Sequence, residues 1–235
     1  MAQSKSKKNS SSTAAAQTTA SESKQLAVRT TPKITTNNSA LDRQIDIARK
    51  TNETYIRLSL DIDGKGENSI STGIGFFDHM LSAFARHGFF DLECSIKGDL
   101  NVDGHHSVED CGIVLGSAIK GALGDKTRIN RYGYYVLPMD ETLVLCSIDL
   151  CDRPYLEFDY EYKVPMIGDF DTELVKEFFY AVSYSAGMSL HFKVLSDGNA
   201  HHVTEAMFKA FAKALDKATR IDDRIEGVLS TKGAL

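Results

Sequence analysis

The chain has 235 residues, of which 42% are hydrophobic and 25% charged, and a formal net charge of -5. This is the composition of a soluble globular protein with enough chain for one large domain or two small ones. The acidic balance gives no electrostatic reason for nucleic acid or an anionic membrane as partner, and no apolar run approaches the length of about 18 residues that a membrane span needs.

Residues 1–41 are rich in Ser, Thr, Ala and Lys, contain one acidic residue (Glu22) and show no sustained periodicity. They cannot bury enough apolar surface to offset the entropy of ordering, so a disordered N-terminal extension is expected. A hydroxyl-rich, acid-poor leader also suits a transit peptide; the cytoplasm is the expected compartment, with a plastid if the leader is read that way.

Order is expected over 42–235. Ile56, Leu58, Leu60 and Ile62 alternate with polar residues as a half-buried strand, and Asp63-Gly64 predicts a hairpin turn. Glu53 stands at the strand entry. Phe76, Phe77, Met80, Leu81 and Phe84 have helical spacing, with His79 beside the apolar stripe, His87 near the end, and Gly88 as the left-handed terminator. Phe90, Leu92, Cys94 and Ile96 form a strand, and a helix follows from His105 to near Gly124.

The second half repeats this order. Val144 to Leu150 alternate, Asp152-Arg153-Pro154 predicts a turn, and Leu156, Phe158, Tyr160 and Tyr162 a returning strand. Leu174 to Ala186 reads as a helix closed by Gly187, Met188 to Val194 as a strand, and His201 opens the last helix. The four cysteines, Cys94, Cys111, Cys146 and Cys151, lack CxxC spacing and read as small buried hydrophobes. The chain is therefore an internal duplication, about 42–128 and 129–222, with a tail at 223–235. Each half has helices for one sheet face only, which predicts an α+β pair of sheet/two-helix units packed about a pseudo-twofold axis.

One short pattern dominates the chemistry. Asp-Gly-His105-His106-Ser-Val-Glu109-Asp110 returns as Asn-Ala-His201-His202-Val-Thr-Glu205-Ala. Seven His in this length give roughly 0.2 adjacent pairs by chance, so two such runs are outside the usual false-positive risk of short motifs. On a helix the first His and the Glu are i, i+4 and share a face, whereas adjacent His diverge by about 100°. Six imidazole and carboxylate donors suit Mn, Fe, Co, Ni or Zn, and two metal sites per chain are expected, open to completion by neighbouring subunits. Arg131, Arg153, Lys209, Ser230 and Lys232 could together hold a phosphate beside a dication. These residues alone also fit a binuclear metal phosphoester hydrolase or a metal-storage protein.

Over about 43–235 the sequence resembles the imidazoleglycerol-phosphate dehydratase family, in its monofunctional form. The resemblance rests on Thr-Gly-Ile-Gly-Phe-Phe-Asp-His79-Met-Leu, the two His-doublet motifs, Arg131-Tyr-Gly, Pro-Met-Asp-Glu141, Asp-Arg153-Pro-Tyr, Lys209 and Ser230-Thr231-Lys232-Gly. It implies a duplicated fold like domain 2 of ribosomal protein S5. The implied reaction is dehydration of imidazole glycerol phosphate to imidazole acetol phosphate in histidine biosynthesis, with the ring held as an imidazolate between two Mn(II) ions per subunit. It implies a homo-oligomer, a cage of 24 subunits.

The resemblance further implies that His79, His105, His106, Glu109, His201, His202 and Glu205 bind metal and that several of them touch the substrate ring. Glu53 becomes the general acid/base, with Lys209 assisting. Arg131, Arg153, Ser230, Thr231 and Lys232 hold phosphate, and His87 joins the substrate contacts. Two positions depart from the family: Glu177 stands where many relatives have His, and is taken as a ligand in its place, and Ala83 stands where many have Gln.

Overall fold

The computed structural model describes residues 43–235 and the two-residue strand Ala27–Val28; the rest of the expected disordered leader lies outside the described residues. In chain order the elements are β1 (Ala27–Val28), β2 (Gln44–Lys50), β3 (Thr54–Asp61), β4 (Asn68–Ser71), α1 (Gly75–Gly88), β5 (Asp91–Gly98) and α2 (His105–Leu123). There follow β6 (Tyr132–Met139), β7 (Thr142–Asp149), β8 (Tyr155–Asp159), β9 (Met166–Ile167), β10 (Phe170–Asp171), α3 (Glu173–Ala186), β11 (Ser189–Ser196) and α4 (Ala200–Thr219).

The duplication is visible in the strand order. The first sheet runs β1-β2-β3-β5-β4 and the second β6-β7-β11-β8. In each, a two-strand hairpin pairs antiparallel with the third strand, and the edge strand runs parallel to that third strand: β4 beside β5, β8 beside β11. Helices α1 and α2 cover the inner face of the first sheet, α3 and α4 that of the second, and the two helical layers meet through α2 against α3 and α1 against α4. This is the expected α+β pair.

Alternation built the strands. In β3 and β7 every second residue is buried, including Ile56, Leu58, Val144 and Cys146, and the intervening residues face outward. Between the sheets the core is a wall of phenylalanines. Phe77 and Phe178, from different halves, meet edge-on at 5.3 Å, and Phe178 stacks on Phe208 at 5.1 Å. Glycines let the backbones close up: a Cβ at Gly112 would lie 2.7 Å from the Phe178 carbonyl oxygen, and one at Gly133 only 1.8 Å from that of Ala214. All four cysteines are free and buried, as read from the sequence.

Three local expectations are corrected. The turn at Asp63-Gly64 does not close a hairpin, because β4 crosses to run parallel to β5; Asp91 Oδ1 accepts the backbone N–H groups of Lys65 and Glu67, both at 2.8 Å, and so ties that loop to the start of β5. The strand after Pro154 likewise pairs parallel with β11 instead of returning along β7, and stops at Asp159. The left-handed residue ending α1 is Phe89 (φ 59°), one position after Gly88, whereas Gly187 (φ 68°) closes α3 as expected.

Candidate active site

Helix starts position the paired motifs. Asn199 Oδ1 accepts the His201 N–H at 2.9 Å at the head of α4, and Asp103 Oδ1 accepts the His105 N–H at 2.8 Å at the head of α2. Each doublet is thereby fixed in the first turn, where its two rings diverge. The His105 and His106 rings are 6.3 Å apart at 86°, those of His201 and His202 6.2 Å apart at 81°.

The first member of the second doublet completes a triad. His79 Nε2 from α1 and His201 Nε2 from α4 lie 3.2 and 3.1 Å from Glu205 Oε2, and the three donor atoms fall within 4.8 Å of one another. Glu205 Oε1 also accepts from Lys209 Nζ at 2.6 Å. Burial pushes the Glu205 carboxyl up, but the hydrogen bonds from Lys209 and His79 prevail and hold it below the ordinary carboxylate value. Two imidazole nitrogens and a carboxylate oxygen converging from two helices are a donor set that fits a first-row dication.

The mate of this triad is more open. Glu177, equivalent to His79, lines a cleft of about 780 Å³ together with His105, His201, Phe76, Asp103 and Leu174. His105 Nε2 stands 3.7 Å from Glu109 Oε2. The structure thus brings Glu177 and His105 to one cleft wall, and Glu109 beside His105, without closing them into a second tight cluster.

The second members of the doublets face carboxylates of their own. His106 Nδ1 lies 3.0 and 3.2 Å from the oxygens of Asp99, and His202 Nδ1 lies 3.1 and 3.2 Å from those of Glu141. The hydrogen bond to Asp99 raises the His106 pKa, with the charges of Asp99, Glu53 and Asp103 adding to it. Glu141 is held down to about 2, first by the Asn199 N–H and its own backbone N–H and then by His202. Glu53 lies in the β2–β3 turn near His106, and its backbone N–H donates to Thr51 Oγ1 at 3.1 Å. Asp99 and Glu141 as partners of the imidazoles were not foreseen. The signal available was their position, one directly after a strand and the other in the turn equivalent to that of Glu53.

The expected phosphate group gathers elsewhere. Arg131 donates from Nε and Nη2 to the two oxygens of Asp149, at 2.7 and 3.0 Å, and from Nη1 to the Leu229 carbonyl at 2.8 Å, so it clamps the tail that carries Ser230, Thr231 and Lys232. Asp149, bonded to it first of all, raises the Arg131 pKa. The exposed Arg153 reaches the same carboxylate at 3.8 Å. The Arg131 N–H bonds to the Ala218 carbonyl at the far end of α4. From His201 to Ala218 the helix rises about 25 Å. His87, at the end of α1, is in neither cluster; partial burial, then the charges of Lys209 and Lys213, lowers its pKa. Ala83 is buried in α1, and its methyl group offers no polar contact.

Comparison with known proteins identifies the family. A model of the imidazoleglycerol-phosphate dehydratase family matches residues 72–215. The imidazoleglycerol-phosphate dehydratases of Acetivibrio thermocellus and Lachnoclostridium phytofermentans are 61% and 62% identical over 195 residues, 83% of this chain and 100% of each relative. The crystal structure of the Staphylococcus aureus enzyme is similar with a TM-score of 0.70 at 38% identity, covering 76% of this chain and 99% of that one. The structure from Pyrococcus furiosus gives the same TM-score at 37% identity, over 80% and 99%. With the duplicated fold, the paired helix starts and a relative that the chain covers from end to end, the chain belongs to the imidazoleglycerol-phosphate dehydratase family.

Proposed function

We propose that the chain catalyses the dehydration of imidazole glycerol phosphate to imidazole acetol phosphate in histidine biosynthesis, using two Mn(II) ions per subunit in a cytoplasmic homo-oligomer, the 24-subunit cage of the resemblance. As a member of the family it is a hydro-lyase. The observation that carries the metal reading is the convergence of His79, His201 and Glu205, and the cleft shared by His105 and Glu177 offers the second set of donors. When bound, the ions supply Lewis acidity at the imidazole ring and fix its orientation.

The chain's own groups do the rest. The carbon-bound proton passes to Glu53 and the hydroxyl beside the ring departs, the two together making up the water lost; the resulting enol then gives up its O–H proton and takes one up at the carbon next to the ring to become the ketone. Lys209, held at 2.6 Å by Glu205, keeps a positive charge at the site edge to assist the departing group. Arg153, Lys232 and Ser230 bind the phosphate, with Arg131 holding the tail in place.

The distance along α4 supports the oligomer. A three-carbon chain separates ring from phosphate and reaches under about 8 Å, whereas the metal donors and the phosphate group of one chain are about 25 Å apart. One copy therefore supplies the donors and another the phosphate contacts.

Incubation of the Mn(II)-loaded protein with imidazole glycerol phosphate, with product and metal analysis of the same sample, tests the reading. The ketone should form without inorganic phosphate. Phosphate release without the ketone would make the chain a phosphoester hydrolase, and bound manganese without turnover would leave it a storage protein.

A further inference from the structure

The two halves share one element order, and one of the differences between them falls at the partners of the doublets. Glu53 and Glu141 occupy equivalent turns, β2–β3 and β6–β7, each directly before a buried threonine, Thr54 or Thr142. Asp99 and Asp197 are equivalent too, each directly following the third strand of its sheet. Each half thus carries the same two carboxylates at equivalent positions, and in the second half Asp140 Oδ2 also stands 3.8 Å from His202 Nε2. The first half uses Asp99 for His106. The second uses Glu141 for His202.

An insertion explains the exchange. Between β8 and α3 the second half carries Tyr160 to Asp171, including β9 and β10, where the first half passes almost directly from β4 into α1. Two residues of that insertion capture Asp197: the Tyr160 hydroxyl donates to its Oδ1 at 2.8 Å and Lys163 pairs with its Oδ2. The Gly198 N–H takes Oδ1 as well, at 2.8 Å. His202 is left to Glu141, which the Asn199 N–H anchors at 2.6 Å. In the first half Asp99 is free to hold His106, and among the described residues no side-chain hydrogen bond or ion pair engages the Glu53 carboxylate.

We propose that Asp99 and Glu141 are positioning residues, each orienting the imidazole of one proposed ligand, His106 or His202, and that this exchange of roles between the halves is what releases Glu53 for proton transfer. A histidine whose Nδ1–H is held by a carboxylate has its Nε2 lone pair aimed and made more basic, and losing such a partner commonly weakens metal binding about 10–100-fold. The asymmetry serves function: were Glu53 to hold His106 as Glu141 holds His202, the hydrogen bond would favour its charged form and make it a weaker proton acceptor. The inference rests on the dehydratase reading.

The test titrates Mn(II) alone into the full-length, metal-free protein, following the unbound ion by electron paramagnetic resonance, with a melting curve for every variant. Asp99→Asn and Glu141→Gln, both isosteric, should raise the dissociation constant about 10–100-fold without matching losses in melting temperature. Asp197→Asn should bind as the parent does, and Glu53→Gln should also bind normally while its kcat collapses. If Glu141→Gln does not fold, because the head of α4 leans on it through Asn199, Asp99→Asn decides alone. Parent-like binding by Asp99→Asn, or a loss in Glu53→Gln as large as in Asp99→Asn, overturns the inference. A parent protein that neither binds manganese nor makes the ketone overturns instead the dehydratase reading beneath it.

Discussion

If one copy supplies Glu53 and another supplies Arg153 and Lys232, two inactive variants should repair each other. Glu53→Gln removes the proton acceptor and should cost 10²-fold or more in kcat, to order of magnitude. Arg153→Ala with Lys232→Ala removes two charged phosphate contacts, each worth about 1.5 kcal/mol, or roughly 100-fold together in kcat/KM. Both changes fall on exposed side chains, so folding should survive. Helix lengths set the geometry. Lys120, bonded at 3.1 Å to the Asp152 beside Arg153, lies 15 residues along α2 from His105, or about 22 Å, and α4 gives about 25 Å independently. The two variants are co-expressed with different tags and purified through both. Half the copies then supply Glu53 and half supply the phosphate pair, so about one site in four is intact and kcat/KM should return to about a quarter of the parent value. A mixture no better than the average of its two components, about one hundredth of parent, would show that each site is built within one chain and would refute the reasoning.

Chelation should dissolve the assembly along with the activity, because ions shared between copies couple binding to association; light scattering showing an unchanged mass after metal removal would contradict this. Asp152→Asn should destabilise the fold by about 2 kcal/mol in urea, since it strips the buried Lys126 ammonium of its carboxylate at 3.0 Å. Burial raises the Asp152 carboxyl, but Lys126 and Lys120 prevail and keep it below its ordinary value. Its contribution is therefore present above the unfolded carboxyl pKa of about 4 and disappears as the pH falls through the lower folded value, so parent and variant curves should converge in acid. Gly133→Ala should abolish soluble folded protein or cost over about 3 kcal/mol, because the added methyl meets the backbone of α4 and not a movable side chain. A variant melting as the parent does would show that β6 can retreat from α4.

Much of this was legible in residue patterns, and the failures have local causes. The alternation in β3, β5, β7 and β11 and the apolar stripes of α1 and α3 gave those elements directly, because one face of each is buried. Strand β6 escaped notice because its inward position against Ile148 is Gly133, and Tyr132, Tyr134 and Val136 point outward, so no apolar alternation marks it. The parallel placement of β4 and β8 depends on long-range pairing that turn residues do not encode. At the site, donors on one helix were readable from i, i+4 spacing, as in His201 and Glu205. Their meeting with His79, 126 positions from Glu205 in sequence, required α1 to lie on α4. Asp99 and Glu141 were hidden for the same reason, since each reaches its imidazole from another element.

The phenylalanine wall between the sheets has a bearing on how such a chain arose. Phe77 and Phe178 come from different repeats yet bury one another, and α2 is pressed against α3 at Gly112. Severed from its twin, either repeat would present a broad greasy flank to water and cling to whatever came near. A progenitor carrying one repeat could have stayed in solution only by docking onto a sibling through that flank. Fusion of two such genes would tether a pair already mated and free each copy to mutate by itself.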